Sequence, residues 1–333
     1  MMRAAVLGSG AWGTTFAAVL ADAGCEVTLW GRDSDVAEEV NGTGRNSRFL
    51  PGVSLPEAVR ATVDAAAALD GAQLVAVALP SQRVRAIVAP FASALSPNAV
   101  VVSLMKGIER GSHQRMSQVL GEAWFVDASR IAVVSGPNLA KEIAHKQPTA
   151  TVVASEVEAT AEVVARATAS GYFRPYTNTD VMGVELSGAY KNIIAVAVGI
   201  ADGMGFGHNT TATVMTRGLA EITRLGLALD AKPDTFSGLA GMGDLIATCA
   251  SPLSRNHTLG AHIGRGSSLA DAIATTGGTA EGVTTSQSIQ ELAKAYGVDV
   301  PICDAVVAML HAGEPKEAVL GALLARPRKS EGK

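Results

Sequence analysis

Residues 4–20 read AAVLGSGAWGTTFAAVL: an apolar run that breaks at Gly8-Ser9-Gly10-Ala11-Trp12-Gly13 and resumes with helical patterning. Glycine is common in this chain, 35 of 333 residues, so three glycines at fixed offsets arise by chance about 0.4 times in such a composition. The flanks decide the reading. A strand leads in and a helix leads out, with Gly24 suited to stop that helix. In such a loop Gly8 permits the tight turn, Gly10 lets backbone approach a pyrophosphate, and Gly13 allows close helix–strand packing. The helix start, with Ala11 and Trp12, offers N–H groups to phosphate. A plain glycine turn is the competing reading, and Trp12 serves equally as a cofactor contact or as a cover over the helix start.

Working outward, the first half alternates β-branched runs with helix-like stretches. The runs are CEVTLW (25–30), AQLVAVALP (72–80), AVVVSL (99–104), IAVVSGP (131–137) and TATVVAS (149–155). Near-continuous Val and Ala, without strict alternation, predicts strands covered on both faces, as in a parallel sheet between helices. After about residue 183 the texture becomes helical, in stretches at 184–205, 210–229, 268–274, 284–297 and 303–313. The fold class expected is therefore α/β: a Rossmann-type N-terminal domain with a doubly wound, mostly parallel sheet over 1–183, then an all-α domain over 184–333. The basic tail RPRKSEGK (326–333) is expected to fray.

Composition narrows the function. A net charge of -4 gives no electrostatic footprint for nucleic acid. Cys25, Cys249 and Cys303 are too few and scattered for a disulfide framework, and the six histidines show no metal-binding spacing, so no metal is expected. The N-terminal apolar run is too short for a signal segment, and the run Ile193–Ala201 is too short to span a bilayer. A soluble, cytoplasmic protein with no integral membrane segment is expected.

In open parallel sheets, ligands bind beyond the carboxyl ends of the strands. The second strand ends in LWGRD (29–33), where an acidic residue favours a ribose hydroxyl and an arginine a 2′-phosphate. Arg32 leans towards NADPH, Asp33 leaves NADH open, and both could simply begin the next helix. Lys106, following AVVVSL, serves equally as an anion contact or as a solvated loop lysine. Lys191 stands on a helix apolar nearly all round, where burial disfavours the ammonium and suits a general acid or base; snorkelling is the alternative. Asn192 reads as a structural hydrogen bonder. Asp244 could be a helix cap, and Ser254-Arg255-Asn256 at a helix start could be a phosphate site or a capped turn. His208 and His257 are reserve acid–base candidates.

Together GSGAWGTTFA (8–17), LWGRD (29–33), MKG (105–107), SGPNLAKE (135–142), GAYKNIIA (188–195), GFGHNTTA (205–212), TRGLAEITRLG (216–226), GLAGMGDL (238–245), SRN (254–256) and EGVTT (281–285) resemble bacterial NAD(P)H-dependent glycerol-3-phosphate dehydrogenases, over essentially the whole chain. The resemblance implies reversible hydride transfer between a nicotinamide and C2 of dihydroxyacetone phosphate, feeding glycerophospholipid synthesis, in a homodimer. It implies Lys191 as acid–base residue, with Lys106, Gly136, Asn138, Asp244, Ser254, Arg255 and Asn256 lining the substrate site. Trp12, Arg32, Lys106, Ala140, Arg255 and Glu281 would contact the cofactor. Met105, Asn138 and Ala280 depart from the residues usual in the family and bear on cofactor preference. A related 3-hydroxyacid dehydrogenase, with a carboxylate substrate, and a non-catalytic NAD(P)-sensing module are the alternatives; SRN argues against the first and a lysine on an apolar helix against the second.

Overall fold

The computed structural model describes residues 1–276 and 280–327; the last six residues of the basic tail lie outside the described residues. Eight strands form one sheet: β1 (Arg3–Leu7), β2 (Glu26–Trp30), β3 (Val59–Thr62), β4 (Leu74–Val77), β5 (Val100–Ser103), β6 (Ile131–Ser135), β7 (Thr149–Ala154) and β8 (Phe173–Asn178). Their spatial order is β3-β2-β1-β4-β5-β6-β7-β8, parallel throughout except between β6 and β7. The first six strands follow the doubly wound order, so the crevice for a ligand opens where β1 adjoins β4.

Successive residues of a strand point to opposite faces, and both faces here are buried. Ala4 and Val6 enter an apolar cluster with Phe16 and Leu29, whereas Ala5 and Leu7 enter another with Val84 and Met116. The covering helices are α1 (Ala11–Asp22), α2 (Ser34–Thr43), α3 (Ala65–Leu69), α4 (Val84–Val88), α5 (Met116–Trp124), α6 (Ala140–Ala144) and α7 (Glu158–Thr168). Two strands escaped the apolar pattern. β3 is four residues of mixed polarity, and β8 is an edge strand carrying Pro175, a residue tolerated there because no neighbour needs its N–H.

The helical half comprises α8 (Val181–Gly203), α9 (His208–Ala228), α10 (Pro233–Ser237), α11 (Asp244–Ala250), α12 (Arg255–Gly264), α13 (Leu269–Thr275), α14 (Glu281–Ala295), α15 (Pro301–His311) and α16 (Lys316–Leu324). β8 ends at Asn178 and α8 begins at Val181, so a division at 183/184 falls inside the first turn of α8. That turn starts earlier than the apolar pattern because the buried Asp180 carboxylate accepts the Gly183 N–H at 2.9 Å. α8 is long and apolar enough to cross a membrane, but 94% of its apolar window is buried inside the fold, beneath α9, α11, α12, α14 and α15. Its crossing with α12 is unusually close. A Cβ on Gly199 would lie 2.1 Å from the His257 carbonyl oxygen, and one on Gly260 would lie 2.2 Å from that of Val196.

Candidate active site

The glycine loop distinguishes between its three glycines. Gly8 has φ +121°, and a Cβ there would lie 2.4 Å from the Ala78 carbonyl oxygen; at Gly13 it would lie 1.9 Å from the Gly8 carbonyl oxygen. Internal packing therefore demands both. A Cβ on Gly10 would meet nothing within 4 Å. Gly10 leaves open the approach to the N-terminus of α1, a helix with no side-chain cap. Beside it the Trp12 Nε1 donor is buried without a hydrogen-bond partner. An uncapped helix start behind an open glycine fits a dinucleotide pyrophosphate.

At the end of β2, Asp33 caps α2 by accepting the Asp35 N–H at 3.1 Å. Its other carboxylate oxygen pairs with Arg48, a residue the motif reading did not single out. Arg32 is exposed and makes no ion pair among the described residues. Ala140 opens α6, where its carbonyl accepts from Thr15 Oγ1 of α1 at 3.2 Å.

Three charged groups from distant parts of the chain meet between the sheet and the helical half. Asp244 is 1% exposed, and its two carboxylate oxygens take one lysine each. Lys191 Nζ of α8 donates to Oδ1 at 2.5 Å, and Lys106 Nζ, following β5, donates to Oδ2 at 2.6 Å. Lys106 also donates to the Gly136 carbonyl at 3.1 Å, and Lys191 to Thr248 Oγ1. Asp244 is no helix cap: the chain enters α11 through a π-helical turn, Leu239–Gly243, which frees the carboxylate to face the lysines. Burial lowers the Lys106 pKa from its ordinary 10.5 to about 8; Asp244 opposes that shift and the like charge of Lys191 adds to it.

Each ammonium has three N–H donors. Among the described residues the protein engages two on Lys106 and two on Lys191. One donor on each remains for an acceptor brought to the same carboxylate. Thr248 was missed by the sequence reading, although an i, i+4 spacing from Asp244 on one helix puts both on one face.

The remaining candidates lie on several elements, three of them at the start of α12. Ser254 Oγ accepts the His257 N–H at 3.3 Å and so caps the helix. Asn256 donates to Asn192 Oδ1 of α8 at 2.9 Å and accepts the Gly282 N–H of α14 at 3.0 Å. Arg255 is exposed, with no ion-pair partner among the described residues. Its charge reaches Glu281, whose carboxyl pKa is pushed up by burial and held back by Arg255 and the Ser81 N–H. Asn138 donates to Thr151 Oγ1 at 2.9 Å while its own Oδ1 is buried without a partner. Of the reserve histidines, His257 pairs with Asp202 at 2.7 Å and His208 is exposed at the start of α9. Met105 belongs to the core beneath β5.

Comparison with known proteins accounts for both halves. Residues 3–161 match the N-terminal region, and residues 180–321 the C-terminal region, of the NAD-dependent glycerol-3-phosphate dehydrogenase family. The glycerol-3-phosphate dehydrogenase [NAD(P)+] of Streptomyces griseus is 56% identical over 330 residues, 99% of this chain and 98% of that one. That of Corynebacterium jeikeium is 52% identical over 332 residues, 99% of this chain and all of the other. The crystal structure of the Coxiella burnetii glycerol-3-phosphate dehydrogenase superposes with a TM-score of 0.92 at 34% identity, covering 98% and 99% of the two chains. D-mandelate dehydrogenase shares the fold alone, at 17% identity and a TM-score of 0.60 over 95% and 99%. From the loop that would cradle the pyrophosphate to the lysine-bearing helix, the chain belongs to the NAD-dependent glycerol-3-phosphate dehydrogenase family.

Proposed function

We propose that this enzyme reversibly reduces dihydroxyacetone phosphate to sn-glycerol 3-phosphate, with NADPH or NADH bound across the glycine loop. The observation that carries the reading is Asp244 held between two lysines, each with one N–H donor to spare. The bound nicotinamide supplies the hydride for C2 of the ketone. The protein's task is to hold that ketone, polarise its oxygen and deliver a proton.

Lys191, fixed by Asp244 and Thr248, directs its third N–H to the C2 oxygen and protonates the alkoxide as it forms. In the oxidative direction it takes the proton back. Lys106 stabilises the same developing negative charge from the sheet side, in a site too buried for water to screen it well. The α12 N-terminus, with Arg255 and Asn256, binds the phosphate, and this remote contact supplies energy for orientation. Ser254 contributes by capping the helix, and Gly136 and Asn138 line the approach beyond β6.

We assign cofactor binding to the sheet half, through β8, and substrate binding to the helical half, from α8 onward. A homodimer in the cytoplasm, supplying glycerophospholipid synthesis, completes the proposal. The test is NADPH and NADH oxidation with dihydroxyacetone phosphate, measured against a 3-keto acid. Turnover of the phosphate ester supports the reading, and preference for the keto acid would overturn it. Lys191→Ala should lower kcat by about 10²–10⁴-fold while nucleotide binding persists; near-normal kcat removes Lys191 from the acid–base role.

A further inference from the structure

The Asp33–Arg48 ion pair stands where a bound dinucleotide would place its adenosine ribose, at the end of β2. Arg48 arrives from the connection that follows α2, and that connection is fastened to the glycine loop. Asn46, 1% exposed, donates to the Ser9 carbonyl at 2.9 Å and to Thr14 Oγ1 at 2.8 Å. Two residues on, the Arg48 guanidinium lies over the Phe49 ring, 5.2 Å from its centroid. Arg48 is thus a placed group, though its side chain is 64% exposed. Asp33 commits one carboxylate oxygen to the Asp35 N–H and the other to Arg48.

We propose that this ion pair is the element by which the chain accepts both NADPH and NADH, with Arg48 as the residue that discriminates between them. The inference rests on the cofactor reading above. An Asp alone at this position would repel a 2′-phosphate. Arg48 cancels that charge, and together with Arg32 it offers two guanidinium groups to the phosphate. When the ribose carries a free 2′-hydroxyl, Arg48 stays on Asp33. The same carboxylate then accepts the hydroxyl with a remaining lone pair. The pair has an anion-binding arrangement and a hydroxyl-binding arrangement, reached by moving one exposed side chain.

The experiment is direct titration, by nucleotide fluorescence and calorimetry, of wild type, Arg48→Ala, Arg48→Lys and Asp33→Asn. The probes are NADPH, NADH, adenosine 2′,5′-bisphosphate and adenosine 5′-monophosphate. Arg48→Ala should weaken both 2′-phosphorylated probes by about 10–100-fold and the other two by less than about 3-fold. Arg48→Lys should fall between, and Asp33→Asn should weaken NADH while tightening NADPH. Equal losses for all four probes would make Arg48 a support for the loop, and no loss would make it a bystander; either overturns the proposal. If wild type binds neither dinucleotide, the cofactor reading itself fails.

Discussion

Lys106 shows how one residue's surroundings set a measurable property. Its pKa falls to about 8 because burial outweighs the attraction of Asp244. If its ammonium must face the substrate oxygen, kcat/KM for dihydroxyacetone phosphate should decline above about pH 8, by up to tenfold per unit. Unfolding caused by this residue cannot produce that limb. The unfolded lysine keeps its proton to about 10.5, so between 8 and 10.5 the unfolded state binds more protons and Lys106 alone makes stability rise with pH. A pH–rate series on wild type and Lys106→Arg checks the point: the arginine variant, slower overall, should lose the limb. A wild-type profile flat from about pH 7 to 9 would separate Lys106 from the reacting oxygen. At this scale legibility depended on contrast. A lysine among Ile, Ala and Val announces itself, as Lys191 did. Thr248 and Arg48 did not, because a threonine in a helix and an arginine in a loop are ordinary until a fold brings Lys191 and Asp33 to them.

The crossing of α8 and α12 governs how Lys191 stands relative to the Ser254-Arg255-Asn256 turn. It is closed by glycines on both helices, each under a carbonyl of the other. Gly260→Ala would put a methyl group about 2.2 Å from the Val196 carbonyl oxygen, so the helices must separate. Overpacking of this kind costs about 1–3 kcal/mol, and the shift would move Asn256 away from Asn192. The expected outcome is a lowered midpoint in urea and a KM for dihydroxyacetone phosphate raised more than the Kd for either dinucleotide. An equal effect on both would argue that the crossing does not position the phosphate site. The six buried strands were readable from their apolar runs, and α1, α8, α9, α13, α14 and α15 from helical patterning, whereas α5, α7 and α16 went unmarked. β3 and β8 were missed because both are edge strands of mixed polarity, and edge position removes the apolar signal. The closeness of α8 to α12 was unreadable too, since glycines inside helices look like defects until a second helix is known to lie on them.

Across the whole molecule, the site exists only where the sheet and the helical half meet, and several polar ties cross that seam, His113 to Glu291 of α14 at 2.8 Å among them. One is Lys106 to Asp244. The most buried of the rest is centred on Glu185 of α8, 5% exposed, which accepts Arg115 Nη1 at 2.7 Å, the Ser117 N–H at 2.8 Å and Ser117 Oγ at 2.5 Å, all at the start of α5. An apolar cluster that joins Val133 and Val152 of the sheet to Val181 and Val184 of α8 lies along the same seam. Among the described residues Glu185 makes no hydrogen bond or ion pair with either lysine or with Asp244, so its variant tests the seam without removing a bond of the reacting centre. In Glu185→Ala, Arg115 is left with a mostly buried, uncompensated charge, and breaking such a pair costs about 3–5 kcal/mol. For a chain of this size that corresponds to a Tm lower by about 4–7 °C. The glycine loop lies wholly within the sheet half, so dinucleotide Kd should rise far less than KM for dihydroxyacetone phosphate, any loss being confined to contacts from Arg255 and Glu281. The Lys106–Asp244 contact spans the two halves, so kcat/KM for dihydroxyacetone phosphate should fall, whereas kcat, read with dinucleotide and substrate both saturating and holding the halves together, should fall less. A variant that melts early yet keeps full kcat/KM would show that the Lys106–Asp244–Lys191 centre holds its geometry without the Glu185–Arg115 tie.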